Sequence, residues 1–186
     1  MNIQSAVLEG TNILKDEYIL TAQLDTEVLM AKVLGKSREY IILNNNKNLE
    51  NNNLEYFKKL IKERATRKPI AYLLNKKFFW NNDFFVNKDT LIPRPDTEVV
   101  IEQILKLTKH KNKINILDIG VGSGCILLTI LKERKNFYGT GIDISKKTLD
   151  ICKINAKNLQ VETRTKFYKS DIDKFTQGKY DLVVSN

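Results

Sequence analysis

Ile114-Asn115-Ile116-Leu117-Asp118-Ile119-Gly120-Val121-Gly122-Ser123-Gly124-Cys125 carries an apolar segment through three alternate glycines into a stretch, Cys125 to Glu133, with the pattern of a helix. A short apolar run closed by glycine is the signature of a buried strand, so Ile114 to Ile119 is expected as a strand and Gly120 to Gly124 as the turn after it. Glycines at that point let the chain turn sharply and let a ligand lie against bare backbone, faced by the N–H groups that open the helix. Asp118, Gly120, Val121, Gly122, Ser123 and Gly124 are therefore candidate ligand contacts. A glycine turn gains its meaning from a strand-turn-helix-strand setting.

That setting is present. The next strand, Phe137 to Ile144, reaches Asp143, 23 residues after Gly120. An acid ending the neighbouring strand is placed to accept both ribose hydroxyls of an adenosine ligand. The spacing G-x-G-x-G is neither the G-x-x-x-x-G-K-[ST] of a triphosphate loop nor G-x-G-x-x-G, so a triphosphate is disfavoured and a dinucleotide is second choice. Working outward, Lys146 to Lys157 reads as a helix, and Thr165 to Lys169 and Tyr180 to Ser185 as strands. Strands separated by helices predict an α/β domain with a parallel sheet of about four strands and right-handed crossovers. Beyond the third strand, Asp171 can accept from an adenine amino group and Ile172 can cover the ring face, while Asp171 capping the following turn is equally open. The fourth strand, Asp181-Leu182-Val183-Val184-Ser185-Asn186, delivers Asn186 to the same carboxyl-terminal edge.

Upstream, Pro93-Arg94-Pro95 blocks any continuing helix, and Asp96 or Thr97 can cap a new one from about Glu98 to Lys109. The proline turn is read equally as a linker and as a wall of a site. Lys76 to Val86, with two aromatic runs around Asn81-Asn82-Asp83, predicts a β-hairpin. Before it, Leu24 to Leu34 has apolar residues at Leu24, Val28, Leu29, Ala31 and Leu34, a possible cap at Asp25 or Thr26, and a stop at Gly35. Leu54, Phe57, Leu60 and Ile61 line a second amphipathic helix to about Arg64. Seven Asn between Asn44 and Asn53 predict a loop without chemistry. The expected domains are 1–75, helical; 76–92, a hairpin linker; and 93–186, the α/β domain.

The 186 residues are 42% hydrophobic and carry 31 Lys plus Arg against 22 Asp plus Glu, a net charge of +9. That content can bury a core, and disordered and collagenous classes are excluded. The charge admits an anionic partner, but a solvated lysine-rich surface is the favoured reading in so Asn- and Lys-rich a composition. Cys125 and Cys152 both fall in helical segments and are expected as reduced thiols, and a single histidine, His110, leaves no His/Cys set for zinc. The start, MNIQSAVLEG, has neither a basic nor an apolar leader, and no apolar run approaches the ~20 residues of a membrane span, so a cytoplasmic location is expected.

LDTEVLMAKVLGKSR, RKPIAYLLNKKFFW, LIPRPDTEVVIE, ILDIGVGSGCILLTI, GIDIS and DLVVSN together resemble the glutamine N5-methyltransferases that modify class I peptide chain release factors, over nearly the whole chain. The resemblance implies a Rossmann-like class I methyltransferase domain behind a small helical domain that recognises the substrate. It also implies S-adenosyl-L-methionine as cofactor and transfer of its methyl group to the side-chain amide nitrogen of the Gln in a Gly-Gly-Gln motif. Asp118 to Gly124, Asp143, Asp171, Ile172 and Asn186 would contact the cofactor, and Asn186 would also be the catalytic and substrate-binding residue. The family's Asn-Pro-Pro-Tyr motif is represented only by its first residue, Asn186, so the chain is expected to be the first part of such an enzyme and, as it stands, inactive. Two other readings accompany this one. The first is an N-methyltransferase for exocyclic amines of nucleic acid, favoured by the basic charge and disfavoured by the absence of an aromatic-interleaved basic stripe. The second is a fragment that binds cofactor or release factor without turnover.

Overall fold

The computed structural model describes all residues, Met1–Asn186. They divide into two compact units, Met1–Leu74 and Asn75–Asn186.

The first unit is a bundle of α1 (Ile3–Asp16), α2 (Ala22–Leu34), α3 (Arg38–Leu43), α4 (Asn51–Ala65) and α5 (Ile70–Leu74). Ile3, Ala6, Leu14, Leu29, Met30, Phe57, Leu60 and Ile61 form its core. Gly10 permits the close crossing of α1 over its neighbours, since a Cβ there would meet Thr26 Cγ2 at 3.0 Å and Ile61 Cδ1 at 3.1 Å. Asn2 caps α1 through its side chain, and Gly35 ends α2 in the left-handed conformation.

Three local expectations are corrected here. Leu24 is exposed, whereas Asp25 and Glu27 on the expected polar side of α2 are buried. Asp25 does not cap. Its Oδ2 accepts from Arg64 Nε at 2.8 Å and from Thr21 Oγ1 at 2.9 Å, while Glu27 Oε2 accepts from Arg38 Nε at 2.6 Å. Thr26 does not cap either, because its hydroxyl donates to Ala22 O within the helix. Paired charges let α2 bury a face that apolar periodicity alone assigns to solvent. The asparagine loop is also shorter than expected, because Asn51–Asn53 form the first turn of α4.

In the second unit, β1 (Lys77–Phe79) and β2 (Asn82–Phe84) form an antiparallel hairpin. Its turn residues, Trp80 and Asn81, have φ of 46° and 57°, the geometry of a two-residue turn that follows strand twist. The turn thus falls one residue earlier than Asn81-Asn82-Asp83. Left-handed Trp80 is held by its backbone N–H to Glu98 Oε1 at 3.1 Å and its indole N–H to Glu133 Oε1 at 2.9 Å. Phe79 and Phe84 meet edge to face at 6.0 Å within the core of this unit. The hairpin, expected as a linker, therefore lies on the second unit's side of the division.

Four parallel strands follow: β3 (Asn115–Ile119), β4 (Tyr138–Asp143), β5 (Thr165–Lys169) and β6 (Leu182–Ser185), in the order β5-β4-β3-β6. They alternate with α6 (Glu98–Leu107), α7 (Cys125–Glu133) and α8 (Lys146–Asn158), giving the α/β architecture read from the sequence. Arg164 donates to the carbonyls of Leu131, Arg134 and Phe137, fixing the end of α7 and the entry to β4. The chain runs outward from β3 through β4 to β5 and then returns to place β6 on the other side of β3. Such a reversal opens a crevice beyond the carboxyl ends of the strands. No helix is long and apolar enough to cross a membrane.

Removing one partner of a buried ion pair leaves an uncompensated charge. Arg64→Met is therefore expected to destabilise the helical unit by about 3 kcal/mol, read by urea unfolding followed by circular dichroism.

Candidate functional site

The site is assembled at the carboxyl ends of β3, β4 and β6. Gly120, Gly122 and Gly124 have φ of 72°, 57° and 82°. At Gly124 a Cβ would also stand 2.6 Å from Cys152 Sγ and from Leu128 Cδ1, so the turn needs glycine there for both conformation and space. Gly120 N and Val121 N both donate to Ile142 O at 2.9 Å, which ties the turn to the neighbouring strand.

Asp143 completes the tie. Its Oδ2 accepts from Gly122 N at 3.2 Å and its Oδ1 from Ser145 N at 2.9 Å. A carboxylate has about four lone-pair sites, so each oxygen keeps capacity for a further donor. Gly122 lies under open space, with nothing nearer to an added Cβ than Gly120 O at 3.7 Å.

Asn155 was not singled out by the sequence reading. It sits on α8 among Leu149, Ile151, Cys152 and Ala156, wholly buried. Its Oδ1 accepts from Phe85 N at 2.7 Å, and its Nδ2 donates to Phe85 O at 3.0 Å and Ser123 O at 2.8 Å. One carboxamide thus joins the segment leaving the hairpin to the glycine turn. The available signal was a polar residue at an apolar-face position of a periodic helix.

Asp118 lies beneath the turn, 2% exposed. Burial pushes its carboxyl up to about 7, with the backbone N–H of Leu127 opposing and the Asp143 charge adding. Burial likewise pushes the Cys125 thiol up to about 11, and the Cys152 thiol well above its ordinary value. Both cysteines are free. Cys152 is buried, whereas Cys125 is part-exposed and lines a cleft at the glycine turn. No group of three or more His, Cys, Asp or Glu could hold a metal ion.

A cleft of about 270 Å³ brings together Asp118, Gly120, Val121, Gly122 and Ser123 with Leu91, Pro93, Arg94, Thr97 and Asn186. The proline segment thus forms a wall of the cleft, which decides between the two roles open from sequence. Asn186 Nδ2 donates to Thr97 Oγ1 at 2.8 Å. Asp143 is not among the cleft's lining residues and touches them only through its bond from Gly122 N. Asp171 and Ile172 are not among its lining residues; Asp171 is exposed and accepts from Asp173 N at 3.4 Å, capping the short turn Ile172–Lys174.

Asp118 generates a pH prediction. Its folded-state value lies above the 3.8 of an unperturbed Asp, so the folded chain binds more protons than the unfolded one between about pH 4 and pH 7. Its contribution to stability is therefore lost as pH rises through that window. Asp118→Asn, which stays neutral, is expected to gain stability relative to wild type between pH 5 and pH 8, measured by urea unfolding at both. An unchanged difference contradicts the assignment.

Residues 5–74 match the family described as "PrmC N-terminal domain", and residues 110–186 match "Methyltransferase domain". The release factor glutamine methyltransferase of Clostridium acetobutylicum is 35% identical over 192 residues, covering 100% of this chain and 66% of the relative. That of Leptospira interrogans is 34% identical, with the same two coverages. The protein of that name from Caulobacter vibrioides is 35% identical, covering 93% of this chain and 60% of its own. The chain thus spans less than two thirds of the length of these relatives. A solved RNA methyltransferase from Salinibacter ruber, in complex with S-adenosyl-L-homocysteine, resembles 50% of the chain at 22% identity and a TM-score of 0.45, a likeness too slight to bear on function. Matched in both units and along its length, the chain belongs to the release factor glutamine methyltransferase family over the stretch that it spans.

Proposed function

We propose that the full-length protein transfers a methyl group from S-adenosyl-L-methionine to the side-chain amide nitrogen of the Gln in the Gly-Gly-Gln motif of class I peptide chain release factors. The observation that carries this reading is the cleft that joins the glycine turn to Asn186, in a chain whose relatives are named for release factor glutamine methylation. The helical unit, matched to the PrmC N-terminal domain, is assigned to recognition of the release factor.

The residues present fit the cofactor. Bare backbone at Gly120 and Gly122 leaves room for a ligand, and Asp143, already oriented by two backbone N–H groups, retains acceptors for ribose hydroxyls. Asp171 and Ile172, exposed just beyond β5, are assigned to the adenine amino group and ring face. Asp118 and Ser123 border the same turn. When bound, the cofactor supplies an electrophilic methyl group on a positively charged sulfur.

A carboxamide nitrogen is a poor nucleophile, because its lone pair is delocalised into the carbonyl. The protein's work is then positioning and dispersal of charge more than deprotonation. Asn186 Oδ1 accepts one N–H of the substrate amide, which turns the nitrogen toward the methyl group. Leu91, Ile92 and Pro93 give that approach an apolar wall. The amide proton leaves after transfer.

The test is to incubate the full-length protein with methyl-labelled S-adenosylmethionine and, separately, with a class I release factor, transfer RNA and duplex DNA, and to locate the label by mass spectrometry. One methyl group on the Gly-Gly-Gln glutamine is expected, and none on either nucleic acid. Label in nucleic acid alone, or in none of the three, overturns the reading. Asp143→Ala is expected to weaken cofactor binding by about 1 to 3 kcal/mol in a calorimetric titration.

A further inference from the structure

We infer that Thr97 is a positioning residue that holds the Asn186 carboxamide in place within the cleft, an assignment that rests on the proposed glutamine chemistry. An asparagine side chain presents an acceptor at one end and two donors at the other, and rotation by half a turn exchanges them. A substrate amide that must donate an N–H needs the oxygen. A neighbour that takes up Nδ2 leaves the oxygen free for that role.

Thr97 is that neighbour. It is 7% exposed, and its Oγ1 accepts from Asn186 Nδ2 at 2.8 Å. Its own place is fixed by the turn Pro95–Thr97, in which Thr97 N donates to Arg94 O at 3.1 Å. The backbone before Asn186 is held independently: Ser185 pairs with Ile119 in the sheet register, and Ser185 Oγ donates to Ile119 O at 3.0 Å. Main chain and side chain are thus held by separate contacts, and with Nδ2 on Thr97 the Asn186 oxygen is left as the acceptor. This gives the threonine of Pro93-Arg94-Pro95-Asp96-Thr97 a role that a helix-cap reading does not supply, and no side-chain cap bond is made at that position.

The variants are Thr97→Val, which keeps the shape and removes the acceptor, and Thr97→Ser, which restores it. Two readouts on the full-length protein separate this inference from the substrate assignment. The first is the side-chain amide resonances of Asn186 by NMR, which need no turnover. They are expected to shift toward solvent-exposed values in Thr97→Val and to stay in place in Thr97→Ser. The second is methyl transfer to release factor glutamine. Turnover is expected to fall roughly ten- to hundredfold in Thr97→Val, the usual scale for a misplaced reacting group, with recovery in Thr97→Ser. In an Asn186→Ala background, Thr97→Val should cost nothing further, since it acts through that side chain.

Asn186 resonances unmoved by Thr97→Val, or wild-type turnover in that variant, overturn the inference. If the resonances respond as expected while even the wild type leaves glutamine unmethylated, the positioning contact stands and the substrate assignment fails.

Discussion

The site depends on one buried carboxamide. Asn155 offers its acceptor and both donors to backbone groups, two on Phe85 and one on Ser123. Asn155 is wholly buried, so these bonds satisfy side-chain groups that would otherwise be orphaned at a cost of about 1 to 3 kcal/mol apiece. Its geometric effect is larger than its energy. It fixes the glycine turn from below, at the one point where the turn cannot be held by side-chain packing because its residues have so little side chain.

The remaining ties act on the upper side of the same turn. Asp143 accepts from Gly122, and Ile142 O receives both Gly120 and Val121. A glycine-rich segment pays most in backbone entropy on folding, so a turn built to present bare N–H groups must be held by its surroundings. Here the holders are α8 through Asn155 and β4 through Asp143. The segment from Leu91 to Thr97 adds the facing wall, and Asn186 arrives from β6 across the strand-order reversal. Buried Asp118 lies under this arrangement, and its raised proton affinity is what a carboxyl acquires when enclosed beside a second acid.

Much of this was legible in the sequence. Cys125–Glu133 and Thr165–Lys169 fall where the sequence pattern placed them, the first as an apolar run opening directly after the glycines and the second as a short stretch rich in aromatic and β-branched residues. The β3-turn-α7 unit and the acid ending β4 were legible in the same way. What sequence patterns missed are features in which polar groups are buried by pairing. The packed face of α2 contains Asp25 and Glu27 because Arg64 and Arg38, distant in sequence, neutralise them. The clasp of Asn155 joins positions 70 and 32 residues apart. The hairpin turn shifted because Trp80 accepts a left-handed conformation that Glu98 and Glu133 secure from elsewhere in the unit. Propensity cannot anticipate a partner that only the fold supplies.

The most direct test of this account is Asn155→Leu, which keeps the volume and removes the clasp. Amide hydrogen exchange at Phe85 and at residues 119–125, together with calorimetric titration of S-adenosylmethionine, would be measured on variant and wild type. The account requires faster exchange confined to those two segments, unchanged exchange in the helical unit, and cofactor affinity lower by about tenfold or more, the scale of one or two lost buried hydrogen bonds. Wild-type exchange in the turn with wild-type affinity would contradict it, and would mean that Asp143 and β4 alone hold the glycine turn in place.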